Sequence, residues 1–263
     1  MLEQFPLLIS TLCYFLSCCS TLLGLSAGKF RPQRFPLFAM IIGVLAQSWF
    51  LLHQGKFHHS CPIHTLPEII IFLSWAIGLF YLLIGSTYRV SLMGVFTAPL
   101  ILGLQAVALL LPFESFKDVA HFNPWIEAHA ALSLIAFGAF GLASVSSMMF
   151  LIQEKELKSQ SPSSLFHYLP PITTLEVVTK RLLWLGFFVL TISFALGFIA
   201  SPLVLGIKFL LSVLIWGSYG MTLFLQQKHY FSSHRFAWSA IAVFSFALIV
   251  VPLVRYNIDL SVR

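Results

Sequence analysis

Eight runs of about twenty residues, with almost no charge inside them, decide what this chain can become. They fall near 5–26, 35–54, 68–85, 91–112, 128–152, 182–203, 205–226 and 236–254. A helix needs about 20 predominantly apolar residues to cross a hydrocarbon core, whereas barrel strands alternate over about ten. These runs are unbroken. The predicted fold is therefore all-α, a polytopic integral membrane bundle of about eight transmembrane helices.

Composition points the same way. Hydrophobic residues make up 59% of the chain and charged ones 9%, against roughly a quarter charged in soluble domains. Eight spans consume about 160 residues, so the 263 positions are expected to form one membrane domain, 1–263. The longest polar run, 153–181, is interrupted by Pro162, Pro170 and Pro171 and leaves no room for a separate soluble unit. It reads as a loop.

Net charge is +6. The basic residues sit in short connections without interleaved aromatics, which excludes a nucleic-acid groove and makes them topology signals. With the N-terminus outside, the inward connections hold Lys29, Arg31, Arg34, Arg89, Lys155, Lys158, Lys180, Arg181, Lys228 and Arg235. The outward ones hold Lys56, Lys117, Lys208, Arg255 and Arg263. This bias predicts both termini extracytoplasmic.

Two outward segments carry groups able to bind something. The first, 55–68, gathers His58, His59, Cys61 and His64. Imidazole and thiolate are ligands of zinc, copper or haem iron, but the spacing matches no recognised zinc site; a solvated His-rich loop fits better than a closed metal site, with an open haem or copper contact between the two. The second, 113–129, contains His121, Trp125, Glu127 and His129. His129 stands at the mouth of the fifth span, where a histidine serves either as an interfacial anchor or as a functional group. On the inward side lie His167, His229 and His234, read as loop or headgroup contacts. Glu68 opens the third span and complements a helix N-terminus. Cys13, Cys18 and Cys19 lie inside the first span as ordinary small hydrophobes.

Some patterns are missing from the sequence: a Walker loop, paired intramembrane carboxylates, an Arg-rich voltage sensor and an HExxH motif. Pumps, ion-coupled transporters and intramembrane metalloproteases lose weight accordingly. The expected ligand is largely apolar with an affinity for histidine.

Several of these stretches resemble the CcsA/HemX-type cytochrome c assembly proteins, including the YpjD-like branch. Gly55-x-Phe57 leads to Glu68 and the Phe72-Leu73-Ser74-Trp75 span; Gly94 to Pro99 is similar to the next span; Asn123-Pro124-Trp125 precedes His129 and a small-residue helix. Pro170-Pro171, Leu175-Glu176 and Gly186-Phe187-Phe188-Val189-Leu190-Thr191 follow in the family's order, so the resemblance covers about 55–197. It has departures. The connection 200–206 has no tryptophan-rich WWD platform, no histidine follows Val254, and Gln47 stands where a YpjD-like histidine is found. The family's inward histidine has its nearest counterpart in His229, beside the aligned positions 226–228.

The resemblance implies a haem-handling component of c-type cytochrome assembly in a bacterial inner membrane, multi-pass and non-catalytic. It implies haem as cofactor, with His129 as axial ligand, His64 or His59 as the second, Trp125 and Trp75 as stacking walls, and His229 as the inward candidate. Implied partners are the lipid bilayer and other assembly proteins, CcsB-like and thioredoxin-like. The alternatives are a HemX-like membrane regulator or scaffold for tetrapyrrole synthesis, docking through 153–181, and a metal or small-molecule transporter using the His58 to His64 cluster. No catalytic residue and no resident metal ion other than haem iron are expected.

Overall fold

The structure, a computed structural model, describes residues 5–26, 34–58, 60–88, 93–112, 123–159, 170–200 and 207–261. Eight helices account for nearly all of them: α1 (Phe5–Ser26), α2 (Arg34–His58), α3 (Leu66–Tyr88), α4 (Met93–Leu110), α5 (Pro124–Ser159), α6 (Ile172–Ala200), α7 (Ile207–Gln227) and α8 (Ser233–Ser261). All eight are long and apolar enough to cross a membrane. Among the described residues there is no strand.

The helices outrun the apolar stretches of the sequence. The run 128–152 becomes the 36-residue α5, which at 1.5 Å per residue is about 54 Å long. A hydrocarbon core is only about 30 Å thick, so α5 projects beyond it. Residues expected to form the loop 153–181 are mostly helical: 153–159 finish α5 and 172–181 open α6, with 160–169 outside the described residues. Hydropathy marks where lipid begins, and caps mark where helices end; the two need not coincide.

The caps are legible in hindsight. Thr65 and Glu68 form a capping box at the start of α3: the Glu68 N–H donates to Thr65 Oγ1 at 3.4 Å, and the Glu68 carboxylate accepts from the Thr65 N–H at 3.1 Å. Asn123 caps α5, its Oδ1 accepting from the Trp125 N–H at 3.0 Å, with Pro124 at the first helical position.

Helix α5 is the centre of the bundle, packing most extensively on α6 and also on α3 and α8. Its small residues allow this. A Cβ on Gly138 would stand 2.9 Å from the Ala76 carbonyl carbon of α3, the close backbone approach that membrane helices use in place of a hydrophobic driving force. Buried polar side chains tie α1 to α4 together. Tyr14 donates to Gln47 Oε1 at 2.8 Å, and Gln47 Nε2 faces the Ile71 carbonyl at 2.8 Å and Ser74 Oγ at 2.7 Å. Thr11 donates to Gln105 at 2.6 Å. Gln47, fully buried, is thus a structural tie at its place in α2.

Alternation of eight helices leaves two ends. One, here the His129 end, holds the starts of α3 and α5 and the ends of α2, α4 and α6. At the other, the Glu154 end, Glu154 bonds His234 at 2.6 Å and Ser233 donates to Glu176 at 2.8 Å, joining α5, α6 and α8.

Candidate functional site

His129 lies in the second turn of α5 with its ring against α6. Its Nδ1 is 2.7 Å from the Ser193 carbonyl oxygen and 3.1 Å from Ser193 Oγ. Ser193 Oγ donates to the His129 carbonyl at 2.7 Å and meets Ser133 Oγ at 2.7 Å. A carbonyl oxygen only accepts, so Nδ1 carries a proton, and in the neutral ring the lone pair is then on Nε2. This is how protein-bound imidazoles are prepared to ligate a metal. Nε2 has no hydrogen bond among the described residues.

Gly197 completes the seat. A Cβ there would come within 2.8 Å of Nδ1 and 3.0 Å of Cε1, so only glycine lets the ring lie flush on α6. Trp125, one helical turn before His129 and hence on the same face of α5, is half exposed at the rim. His129 and Trp125 therefore share one face near the start of α5, and His129 meets the end of α6 there.

Other expected site residues are placed elsewhere. Glu127 is two positions from His129, about 200° around the helix, and its carboxylate accepts from the Cys61 N–H at 3.0 Å. The loop carrying His64 is thereby fastened on the side of α5 away from α6. His64 itself is 8% exposed, and its Nε2 meets Ser60 Oγ at 2.9 Å. The structure does not bring it to His129. Trp75 sits in α3, its Nε1 donating to Ser48 of α2 at 2.8 Å and its ring edge-on to Phe72. Its neighbour Ala76 touches Gly138, which sets Trp75 about two to three turns deeper than His129. It does not share the α5 face that carries His129 and Trp125. His229 is exposed at the Glu154 end, with φ 59°. There the Tyr230 N–H bonds the Leu225 carbonyl at 3.0 Å, so His229 serves as the left-handed residue of a Schellman turn closing α7. His59, His121 and His167, and the connection 201–206, lie outside the described residues.

The Cys61 thiol is pushed up to about 11, by burial first and then by the Glu127 and Glu68 carboxylates. At neutral pH it is a thiol, not a thiolate, and a poor metal ligand. Among the described residues, no three His, Cys, Asp or Glu side chains converge on a metal position. An apolar cavity of about 170 Å³ lies between α3, α4, α5 and α8, lined by Leu73, Leu104, Leu134, Phe137 and Phe244 among others. It contains no imidazole and lies away from the α6 face that receives His129.

Sequence reading missed Ser193, Ser133 and Gly197. The available signal was a serine and a glycine four residues apart, hence on one face, within the Phe-rich α6.

Residues 63–259 match the family described as cytochrome C assembly protein. The chain belongs to this family. A protein named HemX from Brevibacillus brevis is 32% identical over 180 residues, covering 66% of this chain and 65% of that one. A cytochrome c biogenesis protein CcsA from Microcystis aeruginosa is 32% identical over 130 residues, 46% of this chain and 38% of its own length. A CcsA from a Synechococcus strain is 33% identical over 109 residues, covering 38% and 31%. The chain thus spans under two thirds of each of these relatives. The family match reaches well past Gly197, where the motif resemblance stops, and includes α7 and most of α8.

Proposed function

We propose that this protein holds haem at the His129 rim as a non-catalytic component of c-type cytochrome biogenesis. One observation carries the reading: an imidazole whose Nδ1 is fixed by a backbone carbonyl, leaving Nε2 as the ligating atom at a membrane-bundle rim. The residues fit a haem. Nε2 of His129 suits the iron, Trp125 offers an exposed aromatic face, and exposed Lys56 is a cation at the same end of the bundle. When bound, haem supplies the iron porphyrin that c-type cytochromes receive. The protein's own residues do the rest: Ser193 sets the tautomer, Gly197 admits the ring, and Ser133 orients the Ser193 hydroxyl.

The positive-inside bias supports a bacterial inner membrane orientation with the His129 end outside. Family membership supports work beside other assembly proteins, and CcsB-like and thioredoxin-like ones are the partners inferred. Complementation of a deletion strain tests the reading. Wild type is expected to restore mature c-type cytochromes and His129→Ala to fail, with total haem unchanged in both. Full maturation with His129→Ala would overturn it.

The likeness to the HemX protein over 180 residues favours one second reading, a membrane regulator or scaffold of tetrapyrrole synthesis. It would dock through the projecting ends of α5 and α6. That reading expects deletion to change the levels of early tetrapyrrole enzymes, and His129→Ala to have no effect.

A further inference from the structure

Away from His129, five buried polar atoms on three neighbouring helices have no hydrogen-bond partner among the described residues: Ser147 Oγ and Gln153 Oε1 of α5, Thr179 Oγ1 of α6, and Tyr219 OH and Gln226 Oε1 of α7. Four of these residues are at least nine-tenths buried: Ser147 and Tyr219 at 0% exposure, Thr179 at 2% and Gln153 at 5%. Buried polar atoms left without partners are rare, because each forfeits its hydration.

Helix register brings them together. Phe140 of α5 abuts Gly186 of α6, and the two helices are antiparallel. Seven residues onward from Phe140 is Ser147, and seven back from Gly186 is Thr179, so the two hydroxyls share a layer. On α7, the contacts of Phe187 with Trp216 and Gly220 place Thr179 level with 224–228, a window centred on Gln226. Tyr219 stacks on Phe140 at 3.6 Å and marks the deep limit. Gln153 marks the other, at the Glu154 end. The thirteen residues from Phe140 to Gln153 rise about 20 Å.

We propose that the Glu154-end halves of α5, α6 and α7 enclose a hydrated recess, a site for a short chain of bound water reaching from that end to Tyr219. The donor inventory selects the ligand. Two of the atoms are amide oxygens, which only accept, and three are hydroxyls, which accept and donate once. A neutral molecule with two donors and two acceptors satisfies them all, and buried water bridges such groups in other proteins. The recess is independent of the haem reading, lying at the opposite end of the bundle from His129.

Radiolytic hydroxyl-radical footprinting of the full chain in nanodiscs tests it, since radicals formed on bound water oxidise the nearest side chains. Tyr14 is the internal control: it is equally buried, but its hydroxyl already bonds Gln47 at 2.8 Å. Tyr219 is expected to be oxidised severalfold faster than Tyr14, and the excess is expected to fall in the Ser147→Ala, Thr179→Val double variant. Equal rates for the two tyrosines would overturn the proposal. Thermal melts give a second reading. Thr179→Val lowers Tm if water bonds the hydroxyl, whereas an unchanged or raised Tm means a dry, unsatisfied group and contradicts the recess.

Discussion

His129 owes its chemistry to one backbone carbonyl. Ser193 O fixes its proton on Nδ1, and Gly197 leaves only van der Waals room beside the ring. Gly197→Ala puts a methyl within 2.8 Å of Nδ1 and is expected to weaken haem binding by about tenfold, the effect typical of losing an outer-shell contact. A haem titration followed at the Soret band measures it, and unchanged affinity would show that the ring does not use this seat. Cys61 gives a pH-dependent counterpart. Its thiol is held up near 11, so the reactive thiolate grows with pH up to that value. Alkylation by iodoacetamide should accelerate about tenfold per unit between pH 8 and 10. Glu127→Gln removes a raising charge, so its Cys61 should react faster at pH 8; a slower reaction would put the carboxylate elsewhere. The sequence disclosed His129 and Trp125 because short-range motifs surround them. Ser193 and Gly197 stayed hidden because their role exists only across the α5·α6 interface, where no pattern within one helix records the partner.

Helix boundaries show what apolar runs can and cannot tell. The run 5–26 coincides with α1, yet α5 and α6 extend well into polar sequence, where Glu154 and Glu176 bond His234 and Ser233 of α8. The capping box of α3 predicts that Thr65→Ala costs ~1 kcal/mol, readable as a lower Tm with haem binding preserved. His229 occupies a left-handed position at φ 59°, where a side chain costs about 1 kcal/mol and glycine almost nothing. His229→Gly should therefore raise Tm slightly and leave haem binding unchanged; a loss of binding would return His229 to the site. At the α3·α5 crossing, Gly138→Val forces a branched side chain into the Ala76 backbone and should destabilise by about 1–3 kcal/mol or more. His64 and Trp75 were expected beside His129 because the sequence places all three toward one end of the bundle. Rotation about α5 separates them, since Glu127 and His129 face opposite neighbours.

For the molecule as a whole, the apolar runs were enough to read an all-α chain with eight helices long and apolar enough to cross a membrane. The order in which helices pack was not readable, because in lipid every span is apolar on all sides and no amphipathic stripe marks the inner face. The small residues of α5 were the visible hint of its central position. Sidedness is a prediction of the positive-inside rule: ten of the fifteen Lys and Arg fall in the sequence segments assigned to the inward side. Single-cysteine labelling in intact cells should make a cysteine introduced at Lys56 accessible from outside and one at Lys158 inaccessible. The reverse pattern would place His129 on the cytoplasmic side and remove it from extracytoplasmic haem handling. The most direct test of the account is an absorption spectrum of detergent-purified protein after haem addition. Wild type is predicted to show the Soret band of histidine-ligated haem and His129→Ala to lose most of it, while His64→Ala and His229→Ala keep it; identical spectra for wild type and His129→Ala would contradict the assignment.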